Sequence, residues 1–542
     1  MKLYALTHRR ADAILHLAKG TFTYIPKKDD DDDDNNNTPV QNKYGFEIVV
    51  SHANSIELIG TVPETNEFKT ICRQDVFGTI RSIGTFRLLG GEFDYLVMAT
   101  DSGKFNIYRY DMKENRFIIE ISHAYGHVGC RRALAGELLA MDPAGRAIMC
   151  GAVERQKIVY GLTREEDVPL VLKSPLEANF QHSITFDIAS LDIGFDNPTF
   201  ASLELNYSEA DEDHTGNAAR NTQKFLIYYE LDIGVNTVKR TWAEPTVRSA
   251  NRLIPVPSGD KFERGPGGLL VLSNGFVTYQ KPDHDILTAR IPLRENNRTN
   301  ASPAPPVIIV AYDTHIQASD GQFFFIVQSE HGDLYKITLN HQEHQVTMLN
   351  IYYFDSIPAA NALCITRNGY LFVANESNDH FMYVFTSLGG KDSDACSKSV
   401  VYNDLTNEEN LSLDLFMNKN CPYIYFKPRQ LENLEVCEDS ISSLAPILKM
   451  DIGDLQEKHG NQIYTLSGRG ARSTLRVLEP GLDATQLALS VLPGFPINVW
   501  TLKDNIKSPY HKHIVLSFVD ATLIMEVGNE GSIGESKNNS FV

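Results

Sequence analysis

The chain is built on one phrase: a short apolar strand, a tight turn and a second strand. Its clearest copy lies at 93–110. Asp94–Thr100 is mostly apolar, with β-branched or aromatic residues at several positions. Asp101-Ser102-Gly103 is a turn whose glycine can take the left-handed conformation that a three-residue hairpin needs. From Lys104 to Tyr110, Phe105 and Ile107 alternate against Lys104 and Asn106, which is the two-residue period of a strand. A lone hairpin is marginal in water, so something must stack on this one.

The sequence supplies the copies. They recur at 46–59, 146–162, 199–231, 268–280, 322–339 and 369–386. Their turns fall at His52, near Glu154, in a long polar loop over 206–222, at Ser273-Asn274-Gly275, at Glu330-His331-Gly332 and near Ser377. Turn centres lie roughly 45–60 residues apart, the length of a four-stranded propeller blade. Strands of a β-sandwich come at a spacing of about 8–12 residues and lack this longer beat. After a gap of about 90 residues two more copies follow, at 463–478 and 513–527. The expectation is an all-β chain, with a seven-bladed β-propeller over 1–430 that is WD40-like without the Trp-Asp signature. The first blades of a second, incomplete propeller are expected over 431–542, since two blades do not close a ring. Two segments interrupt the beat. The Asp/Asn tract at 29–37 reads as a solvated low-complexity loop, and the polar stretch at 390–419 as a mobile insertion before a strand around 423–426.

Composition narrows the function classes. The chain of 542 residues carries a net charge of −19, which argues against a surface built to track phosphates and for a basic protein partner. RNA contact is expected to be at most indirect. No apolar run approaches the length of a membrane span, and Met1-Lys2-Leu3-Tyr4 runs straight into strand-like sequence. The 7 cysteines stand singly with no CxxC pair, the pattern of a reducing compartment rather than of a disulfide or zinc framework.

The searches for chemistry return nothing. There is no G-x-S-x-G elbow and no P-loop lysine. Gly265-Pro266-Gly267-Gly268 lacks the third glycine and the helix of a dinucleotide turn. His341-Gln342-Glu343-His344 puts its imidazoles at the wrong spacing for zinc, in a turn between strands. His511-Lys512-His513 reads as a loop entering a strand. No catalytic residue, metal ligand or cofactor is assigned. Propeller enzymes assemble their sites at the hub from several blades, so this reading stays open to a hub constellation.

Loops longer than the fold needs are where binding concentrates. Three stand out: 126–137, 163–186 and 206–222. Charged hairpin tips at Asp101, Glu330, Glu376 and Arg469 would lie on one rim, because equivalent turns of a propeller point the same way.

Several stretches also resemble a known family. They are Val76-Phe77-Gly78-Thr79-Ile80-Arg81-Ser82, Asp101-Ser102-Gly103, Gly129-Cys130-Arg131-Arg132, Asp142-Pro143-Ala144-Gly145-Arg146-Ala147 and Ser174-Pro175-Leu176-Glu177-Ala178. Further on come Gly194-Phe195-Asp196-Asn197-Pro198, the run from Gly468-Arg469-Gly470-Ala471-Arg472-Ser473 to Leu478, and Leu492-Pro493-Gly494-Phe495-Pro496. Together they resemble the triple-propeller family of the damaged-DNA-binding adaptor, the large cleavage and polyadenylation specificity factor subunit and the propeller subunit of splicing factor 3b. The Gly-Arg-Gly-x-Arg-Ser stretch is similar to the splicing branch.

That resemblance implies a nuclear, non-enzymatic scaffold of the U2 small nuclear ribonucleoprotein, engaged at branch-site recognition. Its implied partners are the helical-repeat subunit of splicing factor 3b, the smallest subunit and the small zinc-finger subunit. The alternative within the family is an adaptor of a cullin ubiquitin ligase or of mRNA 3′-end processing. Carried onto this chain, the family's contact regions fall on 123–137 (Tyr125, Gly129, Cys130, Arg131, Arg132, Glu137) and on 163–186 (Arg164, Leu176, Glu177, Asn179). They also fall on 211–249 (Asp211, Glu212, Asp213, Asn221) and on the tips Glu330, Glu376 and Arg469.

Overall fold

The computed structural model describes residues 10–23, 44–62, 68–88, 90–125, 136–153, 156–163, 170–180, 182–191, 193, 196–258, 265–295, 306–317, 322–342, 344–390, 395–402, 423–454, 461–469, 473–479, 492, 494–505, 508, 511–527 and 533–535. Among them, seven antiparallel sheets follow one another over 16–75, 80–124, 139–180, 183–246, 252–290, 309–356 and 360–441. Each repeats the hairpin phrase as its second and third strands.

The second strands explain why the apolar runs are continuous rather than alternating. In Asp94–Thr100, Leu96 and Met98 enter a core shared with the first sheet. Val97 and Ala99 enter one shared with the third. In Glu47–Ser51, Val49 faces the second sheet while Ile48 and Val50 face the seventh. A strand covered on both faces can afford no polar side chain without a partner, so its period-2 signal vanishes. One apolar cluster fills each gap between successive sheets, and the last (Ile14, Ile48, Val50, Ile59 with Cys364, Phe372, Ala374) joins the seventh sheet to the first. The sheets therefore close into a ring, a β-propeller.

The first strand of each sheet lies innermost: His16–Gly20, Ile80–Arg87, Leu139–Met141, Ser183–Ser190, Arg252–Pro255, Ile309–Ile316 and Ala360–Ile365. Side chains latch these inner strands to their neighbours. Thr85 Oγ1 donates to Lys19 O at 2.7 Å, and Ser82 Oγ to Gly136 O at 2.6 Å. Leu253 N donates to Asp187 Oδ2 at 2.7 Å, and Ile365 N to Asp313 Oδ2 at 2.6 Å. Tyr312 OH donates to Leu253 O at 3.3 Å, and Asn361 Nδ2 closes the circle onto Ile14 O at 2.9 Å. Each latch satisfies a backbone group that the side-by-side inner strands leave unpaired.

The stretch expected to be a mobile insertion at 390–419 is in part fixed. Cys396–Lys398 adds a fifth strand to the sixth sheet, and Val400–Val401 adds one to the fifth. The chain then returns, Tyr425–Phe426 pairing in parallel with Leu293–Arg294. Leu434–Ile441 finally completes the seventh sheet against His380–Phe385, so the ring runs past residue 430. Polarity suggested mobility here because the partners of this strap over 396–401 lie far off in the chain, at 350–352 and 287–288. Positions 391–394 and 403–422 and the 29–37 tract lie outside the described residues.

Residues 452–463 and 477–542 form a second compact unit. Its sheet pairs Pro496–Leu502, His513–Phe518, Thr522–Val527 and Ile533–Glu535 in order. A three-stranded sheet of Ile447–Gly453, Gln462–Ser467 and Thr474–Leu478 precedes it in the chain.

Candidate interaction face

In a ring of up-and-down sheets, the turn between second and third strands lies at the same end as the connector into the next sheet. Backbone bonds fix that arrangement here. Asp101 N donates to Thr79 O at 3.0 Å, Tyr207 N to His182 O at 2.8 Å, Glu330 N to Ile308 O at 2.9 Å and Glu376 N to Ala359 O at 3.0 Å. In all four, the donor is the first residue past the second strand and the acceptor directly precedes an inner strand. Asp101, Glu330 and Glu376 therefore occupy equivalent positions in the second, sixth and seventh sheets, on one face of the ring.

Each tip is braced from behind. Thr79 N donates to Asp101 Oδ1 at 2.8 Å. Behind Glu330, Gly332 has a φ of +86°, and a Cβ there would fall 2.1 Å from Ile357 O, so only glycine fits. Arg294 grips buried Asp333 through both carboxylate oxygens, at 2.6 and 2.7 Å, and donates to His331 O at 3.1 Å. Asp379, three residues beyond Glu376, accepts from Ser443 N at 2.8 Å and from Arg476 Nη2 at 2.7 Å. Arg476 belongs to the hairpin that carries exposed Arg469, so that hairpin is tied to the Glu376 turn.

The long loop of the fourth sheet is on the same face and is not irregular. Two one-turn helices, Ser208–Glu212 and Asn217–Asn221, flank Asp213. Asp213 accepts from Ala218 N at 2.7 Å and from Thr215 N at 2.8 Å, and these bonds hold its carboxyl down to about 2. Its charge is thus spent on shaping the loop. Asp211, Glu212 and Asn221 are exposed. Arg248 braces the loop by donating to Ala219 O at 3.1 Å and to Arg220 O.

The remaining expected positions divide. Tyr125 is buried, stacked on Phe105 at 5.9 Å, and supports the face from below, while Glu137 is exposed on it. Leu176, Glu177 and Asn179 lie in a strand, Leu176–Phe180, that pairs with Gln156–Thr163 at the outer edge of the third sheet. The long loop expected over 163–186 is thus partly strand. Pro175 and the charges masked a five-residue strand whose pairing is non-local. Gly129, Cys130, Arg131, Arg132 and Arg164 lie outside the described residues. One exposed residue of this face went unassigned in the sequence: Phe77, 86% exposed in the connector between the first and second sheets. The signal was a large aromatic one residue before a glycine of positive φ, in a turn where polar residues prevail.

At the hub, carboxylates serve the latches. Asp313 accepts Ile365 N and pairs with Lys19 at 3.0 Å. Asp187 is pushed up to about 6 by burial, against the pull of Arg252 and of the Leu253 and Ile188 N–H groups. Among the described residues, no group of three or more His, Cys, Asp or Glu side chains could hold a metal ion.

Residues 40–439 match the model of the RSE1/DDB1/CPSF1 first β-propeller. The chain belongs to this family. Its relatives include spliceosome-associated protein 130 A of Arabidopsis thaliana, 39% identical over 530 residues, covering 98% of this chain and 40% of the relative. Splicing factor 3B subunit 3 of Danio rerio is 39% identical over 529 residues (97% and 40%). Pre-mRNA-splicing factor RSE1 of Pyricularia oryzae is 39% identical over 492 residues (89% and 39%). The chain spans about two fifths of the length of these curated relatives. Within the RSE1/DDB1/CPSF1 family, the ring described above is the first propeller.

Proposed function

We propose that this chain is a non-enzymatic, nuclear scaffold of the pre-mRNA splicing machinery, acting within a splicing factor 3b complex of the U2 ribonucleoprotein. The observation that carries the reading is the face itself: acidic tips at equivalent positions, each locked by backbone bonds to a rigid ring. A surface whose loops are already ordered loses little conformational entropy when a partner docks. The relatives, named as spliceosome-associated and splicing factor proteins, support splicing over the ubiquitin-ligase or 3′-end alternatives. The occupants proposed for the face are the helical-repeat subunit, the smallest subunit and the small zinc-finger subunit, met through basic surfaces that complement Asp211, Glu212, Glu330 and Glu376. Phe77 is proposed as the apolar anchor among these charges.

The test is affinity capture from nuclear extract at moderate salt. The wild-type chain is expected to recover splicing factor 3b subunits. A Phe77→Ala/Glu330→Lys/Glu376→Lys variant should lose them while its melting temperature stays within about 2 °C, since all three side chains are exposed. Recovery of a cullin scaffold or polyadenylation subunits instead would overturn the assignment.

A further inference from the structure

The strap over 396–401 covers a face that it does not satisfy. Residues directly opposite in an antiparallel sheet share a face. In the outer half of the fifth sheet, Thr278, Thr288 and Val400 of the strap therefore stand in one cross-strand row, and Phe276 and Arg290 in the next. Gln280 lies two residues beyond Thr278 on the same face. Val400 and Tyr402 pack there against Phe276. Thr278, Gln280 and Thr288 are fully buried and Arg290 is 5% exposed. Yet Thr278 Oγ1, Thr288 Oγ1, Gln280 Nε2 and both Nε and Nη2 of Arg290 have no hydrogen-bond partner. The Arg290 guanidinium instead lies 3.8 Å from the centre of the Tyr423 ring.

Each of those atoms gives up water on closure and receives no protein bond in exchange. Against that cost the strap offers strands of three and two residues, and Val401 stays 56% exposed. The strap is knotted at Ser399, whose N donates to Leu349 O at 2.8 Å and whose Oγ accepts from Leu349 N at 2.9 Å. Tyr402 N adds a bond to Ile286 O at 3.0 Å. Lifting the strap returns Thr288 to water and bares the outer edges of two sheets, at 287–288 and 350–352. A bare strand edge is a template for another extended chain. The strap itself shows what that chain must be. It runs antiparallel to both edges, with a serine bridging Leu349, a β-branched residue beside Thr288 and an aromatic residue against Phe276.

We propose that the strap is a releasable occupant of a strand-addition site along the outer edges of the fifth and sixth sheets, and that an extended segment of a partner protein, of the pattern serine–β-branched–β-branched–aromatic, takes its place.

A labelled peptide of residues 395–402, with serine in place of Cys396, tests this by fluorescence anisotropy on the full chain. Ser399→Pro removes both bonds to Leu349 and frees the edges. The peptide should bind that variant at least about tenfold more tightly than the unaltered chain, whose site is filled in cis. Bound peptide should slow hydrogen exchange at 287–290 and 349–352. Thr288→Val keeps the side-chain shape and removes an unpaired hydroxyl, so exchange over 396–401 should slow about fivefold and the peptide should bind more weakly still. If Ser399→Pro fails to fold, the exchange result for Thr288→Val decides alone. The variant with Phe77, Glu330 and Glu376 altered should take the peptide as the unaltered chain does, which separates this site from the acidic face. Equal binding by the Ser399→Pro and unaltered chains, equal binding of a scrambled peptide, or faster exchange over 396–401 in Thr288→Val would overturn the proposal. So would dimerisation of the unaltered chain that Ser399→Pro abolishes, since the edges would then hold the strap of a second copy.

Discussion

Lys157 and Glu204 show how single residues carry weight here. Their charged atoms lie 3.0 Å apart between the third and fourth sheets, with side chains 1% and 3% exposed. Lys157 also donates to Ser183 Oγ, and Glu204 accepts from Ser202 Oγ and Tyr229 OH. Burial pushes the Lys157 ammonium down while Glu204 holds it up. Removing one partner strands the other: Lys157→Met should cost about 3–5 kcal/mol in urea unfolding, and Lys157→Met/Glu204→Leu should recover most of it. Buried His380 and the half-buried histidines set a second expectation. Burial lowers the imidazoles of His380, His16, His123 and His315 below the usual value. His380 Nε2 donates to Asp12 O at 3.1 Å, with His52, Asp12 and Asp379 close by. A histidine lowered on folding binds fewer protons folded than unfolded, so its stability contribution is lost as pH falls below about 6.5. Asp187, raised to about 6, works the other way, gaining stability as pH falls from 6 towards 4. Melting temperature should therefore fall between pH 7.5 and 6 and fall less steeply in His380→Gln. At this scale the sequence was legible at turns, where Asp101 and Glu330 stand beside a glycine. It was silent on Lys157 and Glu204, whose partnership exists only across two sheets.

Among elements, legibility follows burial. The second strands announce themselves because both faces are covered, leaving apolar runs such as Leu269–Ser273 between turn residues. Inner strands such as Ser183–Ser190 line the hub and mix polar with apolar residues, so their alternation is weak. The five-residue helices beside Asp213 fall below the length at which helical periodicity can be read. The outer strand Leu434–Ile441 is held through buried Asp355, whose carboxylate accepts the N–H groups of Glu432, Asn433 and Leu434 at 3.3, 2.9 and 3.1 Å. Asp355→Ala leaves those donors unpaired at a cost of about 2–3 kcal/mol. Hydrogen exchange over 434–441 should quicken by about 100-fold, while exchange in Asp94–Thr100 stays unchanged.

For the molecule as a whole, closure is the defining property, and it depends on the first described residues. The segment from Ile14 to Gly20 supplies the inner strand of the first sheet, and its Ile14 and Leu17 join the core shared with the seventh. Its Ile14 O accepts from Asn361 Nδ2, and its Lys19 Nζ donates to Asp313. A chain beginning at residue 24 should lose near-UV circular dichroism and gain radius in small-angle scattering, rather than merely melt a few degrees lower. The seven-fold beat was readable because every sheet must present the same hairpin to its neighbours. The strap over 396–401 was not, because a polar segment that pairs with distant edges looks like any solvated loop.

The strap has a consequence for the birth of the molecule. His380–Phe385 finds its outer neighbour only in Leu434–Ile441, after the chain has visited two other sheets. At a synthesis rate of roughly 5–20 residues per second, about fifty residues of delay leave that strand with a bare edge for several seconds on the ribosome. The seventh sheet is thus the last to be finished and the one a chaperone would have to shield.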